Sequence, residues 1–158
     1  MTLKTSILGI FILLSGICSA QKPTGDKPNF LFIFSDDQRF DLVQALGNSE
    51  VLTPNLDKLV KTGSTFTHAY NMGAWNGAVC VASRAMMISG LSVWDAKKNE
   101  EEFQQMADEG QFWPQLLEKA GYETYMTGKW HVKADAETIF QNVIHVRLGM
   151  PNQTPEGY

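Results

Sequence analysis

The sequence predicts an α/β fold with a mainly parallel central sheet flanked by helices. Two observations predict it. The run Asn29-Phe30-Leu31-Phe32-Ile33-Phe34 is near-continuously apolar and of strand length, as expected of a central strand covered on both faces. Beyond it, segments alternate as strand, helix, strand, helix, helix, strand, and strands separated by helices pair in parallel.

Each element has a local reason. The first strand stops at Ser35-Asp36-Asp37, which puts two carboxylates at a strand's carboxyl end. Thr53-Pro54 offers an N-cap followed by proline at the first helical position, Leu56, Leu59 and Val60 share a face, and Gly63 closes the helix. Phe66–Tyr70 reads as the next strand. A second helix runs from near Cys80 through Ser89, a third spans Phe112–Ala120 with Gly121 as its stop, and Tyr122–Thr127 is a further strand. Lys97–Glu102 (KKNEEE) reads as a solvated loop or helix end, and Asp135–Arg147 as one weak helix. Leu148–Tyr158 has two prolines, two glycines and no apolar period. Ligands of parallel sheets sit outside the carboxyl ends of the strands, where Asp36, Asp37 and Gly128-Lys129-Trp130-His131 would emerge.

The chain has 158 residues, 44% of them hydrophobic, enough for one globular core. Seventeen acids against thirteen bases argue against a polyphosphate-binding surface, so no nucleic-acid partner is expected. Lys4, the apolar stretch Ile7–Ile17 and the small residues Cys18-Ser19-Ala20 have the layout of a signal peptide over residues 1–20, cleaved after Ala20. The apolar stretch is short for a stable membrane anchor. Export to the periplasm or medium is therefore expected. It would leave Cys80 as the one cysteine, either an inert buried thiol or the object of some chemistry.

Three motifs carry chemistry. In Cys80-Val81-Ala82-Ser83-Arg84, residues 80 and 84 share a helix face, and a helix start favours an anion; a buried structural Cys beside a surface Arg is the plainer reading. Asp36-Asp37-Gln38 offers hard oxygen ligands, or else turn and capping chemistry. Lys129-Trp130-His131 places a cation and an imidazole on one side of an extended backbone, or else ends a strand with a packed Trp. His68 and His145 read as structural or exposed. Trp75 and Asn76 could face a sugar ring, or be core and turn.

Together these motifs resemble the sulfatase family. Cys80–Arg84 fits its C-x-[PA]-S-R signature, a match that chance gives in a chain this long on the order of once in a thousand. Pro28–Gln38 is similar to its opening strand and metal-binding carboxylates, Leu52–Phe66 to its first helix, and Phe112–His131 to the segment ending in Gly-Lys-Trp-His. The resemblance implies an alkaline-phosphatase-like fold, incomplete at the carboxyl end, with residues 21–158 the amino-terminal part of a truncated catalytic domain.

It also implies a chemistry. A sulfate ester resists attack because its sulfur is shielded by charged oxygens, so a catalyst needs charge neutralisation and a positioned nucleophile. In the family the cysteine, here Cys80, is oxidised to formylglycine. One hydroxyl of its hydrate attacks sulfur and expels the alcohol; the second then loses its proton, and collapse to the aldehyde ejects sulfate. Catalytic roles are implied for Cys80, Arg84, Lys129 and His131: Arg84 steadies the diol, Lys129 contacts sulfate, and His131 assists proton transfer. Asp36, Asp37 and the modified Cys80 would ligate one divalent cation, calcium ahead of magnesium, with Gln38 an outer hydrogen bonder. A formylglycine-generating or anaerobic sulfatase-maturating enzyme is the implied processing partner.

The sequence is most similar to bacterial sulfatases that desulfate polysaccharides such as those of marine algae, so the expected substrate is a sulfated carbohydrate. Family members are several times longer, and after this segment they supply an Asp-Asn or Asp-His pair for the metal and a further His and Lys. Here the acids after His131 are Asp135, Glu137 and Glu156, none in such a pair, and Val132-Lys133 replaces the usual Leu-Gly. The alternatives are a non-catalytic truncated remnant and a phosphonate or phosphate monoester hydrolase of the same superfamily.

Overall fold

Helices form where the sequence supplies both a start and a buried stripe. In the computed structural model, which describes residues 27–77, 79–147 and 149, they are α1 (Pro54–Thr62), α2 (Val79–Ser89), α3 (Val93–Asn99), α4 (Phe103–Asp108), α5 (Trp113–Lys119) and α6 (Ala136–Ile139). Two strands accompany them, β1 (Tyr125–Lys129) and β2 (Asn142–Arg147), together with 3-10 turns at Gln44–Leu46 and Glu100–Glu102. The expected signal peptide and the segment from Pro151 onward lie outside the described residues. By compactness the chain divides into Met1–Phe34 and Ser35–Tyr158.

In the first unit the expected strand is absent. Asn29–Phe34 joins no sheet, and its apolar side chains are exposed. A strand needs a neighbour's N–H and C=O groups to exist as one, and apolar composition alone does not supply them. In the second unit Phe66–Tyr70 likewise forms no strand and is exposed throughout.

The remaining corrections lie in the second unit. Thr53 does precede α1, but its hydroxyl donates to Asp57 Oδ1 at 2.8 Å and accepts from the Gln44 amide at 2.9 Å. It therefore ties α1 to the preceding 3-10 turn instead of capping the helix. Lys97–Glu102 takes the helix-end alternative: it ends α3 and continues as the 3-10 turn, and it is not solvated throughout, since buried Glu100 pairs with Lys97 at 2.6 Å.

The core is built on α2, α4, α6 and the segments next to them. Ala82, Ala85 and Ile88, three residues apart, form the buried stripe of α2, and Arg84 is buried with them. Phe103 meets Phe112 edge-on at 5.6 Å, and Trp130 meets Phe140 at 5.9 Å. Buried Gln115 closes gaps that apolar residues could not, donating to the Ala107 carbonyl at 2.6 Å and to the Thr138 carbonyl at 3.0 Å.

β1 and β2 pair in parallel, which agrees with the α/β class, although β1 begins three residues later than expected. The expected helix over Asp135–Arg147 is instead the single turn α6 followed by β2. Its residues obtain partners from β1, which no local periodicity announces. The ladder carries a bulge: Thr127 faces Ile144 and Gly128 faces Val146, so His145 is the extra residue and takes a left-handed φ of 50°. Past the bulge, Lys129 faces Arg147.

Candidate functional site

Arg84 emerges from the buried face of α2 and Lys129 from the carboxyl end of β1, and both turn to one carboxylate. Lys129 Nζ donates to Asp36 Oδ2 at 2.8 Å, and Arg84 Nη1 stands 3.4 Å from Asp36 Oδ1. Both cations are about 5% exposed at the side chain, so water screens them poorly. Arg84 Nε also donates to the Lys129 carbonyl at 3.3 Å, which locks α2 to the end of β1. The Lys129 hydrogen bond is the main reason the Asp36 carboxyl is held below its ordinary range, helped by the charges of Arg84, Lys129 and Arg147 and opposed by partial burial.

Cys80, in the first turn of α2, brings its Sγ to 3.4 Å from His131 Nδ1. The route to His131 is not the extended one expected. Gly128 has a φ of 98° and His131 a φ of 55°, so the backbone twists through the motif while Trp130 between them is anchored in the core. The Trp130 amide donates to the Arg147 carbonyl at 2.7 Å, and its indole donates to the Ala134 carbonyl. The two flanking side chains thereby reach the same region from a non-alternating backbone. Burial, then the charges of Lys129 and Arg84, hold the His131 imidazole below its usual value, with Asp36 acting in the opposite sense. A neutral ring beside residue 80 can accept a proton there.

The structure thus brings Asp36, Cys80, Arg84, Lys129 and His131 together. Asp37 is exposed, with a left-handed φ of 57°, and Gln38 is exposed beside it. Among the described residues no group of three or more His, Cys, Asp or Glu gathers as a metal cage. Asp36 and Asp37 can offer oxygens to a cation but cannot close a shell of six to eight ligands, and Asp36 already faces two cations. The surroundings of Cys80 do suit a polar, oxygen-bearing group, with first-turn amides of α2 on one side and an imidazole on the other. Trp75 takes the core alternative: it packs against the core cluster, with Lys97 Nζ 5.6 Å from its ring centroid. His68 and His145 are exposed.

Sequence reasoning missed Arg147. It sits beside Lys129 only because of the bulge, and no motif marks it.

Two buried cations thus converge on a carboxylate next to a Cys–His pair in an α/β frame, an arrangement that can hold an oxyanion. The sulfatase family model matches residues 28–153, and the chain belongs to that family. It is similar to an N-acetylglucosamine-6-O-sulfatase of Bacteroides thetaiotaomicron, 29% identical over 124 residues, covering 78% of this chain and 21% of the relative. An N-acetylgalactosamine-6-O-sulfatase of the same organism is 32% identical over 138 residues, covering 78% and 25%. An ulvan-active sulfatase of Formosa agariphila is 29% identical over 151 residues, covering 85% and 29%. The chain therefore spans less than a third of the length of these relatives. No solved structure matches it significantly.

Proposed function

We propose that the protein acts as an exported sulfuric-ester hydrolase on a sulfated carbohydrate, with an algal-type polysaccharide as its substrate. The observation that carries this reading is the convergence of Arg84, Lys129 and His131 around residue 80 and Asp36. Relatives named for sulfated amino sugars and for ulvan support the carbohydrate class.

In this reading Cys80 is a precursor, converted to formylglycine by a formylglycine-generating or anaerobic sulfatase-maturating enzyme. Once hydrated, that group supplies the nucleophilic oxygen and a second hydroxyl whose ionisation lets sulfate leave. The residues of the chain do the rest. Lys129 draws in a sulfate oxygen; its burial makes that attraction stronger than at a wet surface. Arg84, fixed by the Lys129 carbonyl, steadies the charge at residue 80. His131 holds and passes the proton there. Asp36 and Asp37 serve as two ligands of a divalent cation, calcium ahead of magnesium, whose contribution is charge neutralisation.

A sulfate-release assay tests the reading. The chain is coexpressed with a maturation enzyme and offered aryl sulfate, sulfated saccharide and aryl phosphonate. For the 158-residue chain by itself we expect no turnover, because two carboxylates leave the cation shell open. Within a longer polypeptide that completes the shell, sulfate esters should be cleaved and Cys80→Ala should abolish release. Preferential phosphonate cleavage by that polypeptide would contradict the reading.

A further inference from the structure

We propose that Arg147 is a specificity-determining residue that takes a second anionic group of a polyanionic substrate at the rim of the sulfate site. The inference rests on the sulfate-ester reading and goes beyond it, because no motif of the chain includes Arg147.

Without the extra residue His145, the pairing that sets Tyr125 opposite Asn142 would bring Val146 to Lys129. The bulge advances β2 by one residue, so Val146 stays against the core and Arg147 comes to Lys129. Register partners in a parallel pair project from the same face, so Arg147 leaves the sheet on the side from which Lys129 reaches Asp36. The Arg147 carbonyl accepts the Trp130 amide at 2.7 Å, which fixes this residue's backbone directly against the Lys129–His131 segment. The field of Arg147 is felt at the Asp36 carboxylate.

Burial then divides the labour. Arg84 and Lys129 are almost wholly enclosed and directed at Asp36, whereas Arg147 is exposed at the end of its strand. A buried cation suits the ester under attack. An exposed guanidinium with a planar fork, next to that site, suits a carboxylate or sulfate on the neighbouring part of the same molecule. The shared chemistry is a pair of anionic oxygens, which a uronate or a second sulfate supplies equally.

The test measures binding to the full chain by calorimetry at low salt. Four probes are used: inorganic sulfate, a monosulfated disaccharide with no other charge, a disulfated disaccharide, and a monosulfated disaccharide carrying a uronate. Compared with the singly charged disaccharide, the wild type should bind at least one doubly charged probe about tenfold more tightly, the worth of one charge-assisted hydrogen bond. In Arg147→Gln that ratio should fall toward one, and Arg147→Lys should restore part of it. Collapse for the disulfated probe alone assigns a sulfate to Arg147; collapse for the uronate alone assigns a carboxylate. A ratio unchanged in Arg147→Gln, or an equal loss for every probe including inorganic sulfate, overturns the proposal while leaving the sulfate-ester reading intact. A wild-type chain that binds none of the four also overturns the proposal, while the sulfate-ester reading is decided separately by sulfate release from the longer polypeptide.

Discussion

At the scale of single residues, hydrogen bonding, burial and neighbouring charges set the protonation of Asp36 and His131 in the candidate site. Asp36 has its carboxyl lowered, chiefly by Lys129, so its stabilising contribution is present above the ordinary carboxylate pKa, about 3.9, and is lost as pH falls through the lower folded value. A carboxyl titration by NMR should show a midpoint below the ordinary one, and Lys129→Met should move it up; an unmoved midpoint would disprove the pairing. His131 is also lowered, but it is a base. The unfolded chain therefore takes up the proton first, and His131's neutral state favours folding above about pH 6.5, an advantage that shrinks as pH falls toward its folded value. The imidazole midpoint should rise in Lys129→Met, since a neighbouring positive charge is removed. Of these residues, Cys80, Arg84, Lys129, His131 and Asp36 were legible in the sequence because they sit in short runs of fixed spacing. Arg147 was not, since a base after a strand looks like any surface base until the register is known.

At the scale of elements, one anchor and one turn aim the site. Trp130 is buried between Lys129 and His131, so Trp130→Ala should cost about 3–5 kcal/mol in urea unfolding and loosen both neighbours. Gly128 adopts a φ of 98° with open space where a Cβ would lie, so Gly128→Ala tests backbone strain alone and should cost about 1–2 kcal/mol. A neutral result there would mean the twist is not imposed by the fold. Of the helices, α1, α2 and α5 were readable because their signals are local: proline after Thr53 opens α1, and Gly121 follows α5 with a φ of 84°, whereas α3 and α4 were not expected. β2 was not, because a strand's partners are remote in sequence. Asn142–Arg147 carries enough mixed polarity to pass for a helix, and its bulge at His145 breaks the two-residue period that would have exposed it.

At the scale of the whole molecule, the chain displays apolar surface beyond what its core consumes. Leu31 is 86% exposed, Ile33 76% and Phe66 85%. Contiguous apolar residues of this kind promote association, so sedimentation velocity should show concentration-dependent self-association that Ile33→Glu reduces. The same run illustrates the limit of reading a fold from composition. Asn29–Phe34 has the character of a central strand, yet strand formation depends on neighbours that composition does not specify. The family, by contrast, is spread over 126 residues of ordered motifs and is far easier to see than the pairing of any one strand.

In the proposed function residue 80 has to be made, not merely placed. Peptide mass spectrometry of the segment containing Cys80, after coexpression with a maturation enzyme active on a control peptide, tests it most directly. The expected result is an aldehyde at position 80 that a hydrazide captures, in wild type and in Lys129→Met alike. An intact thiol in every molecule would contradict the account.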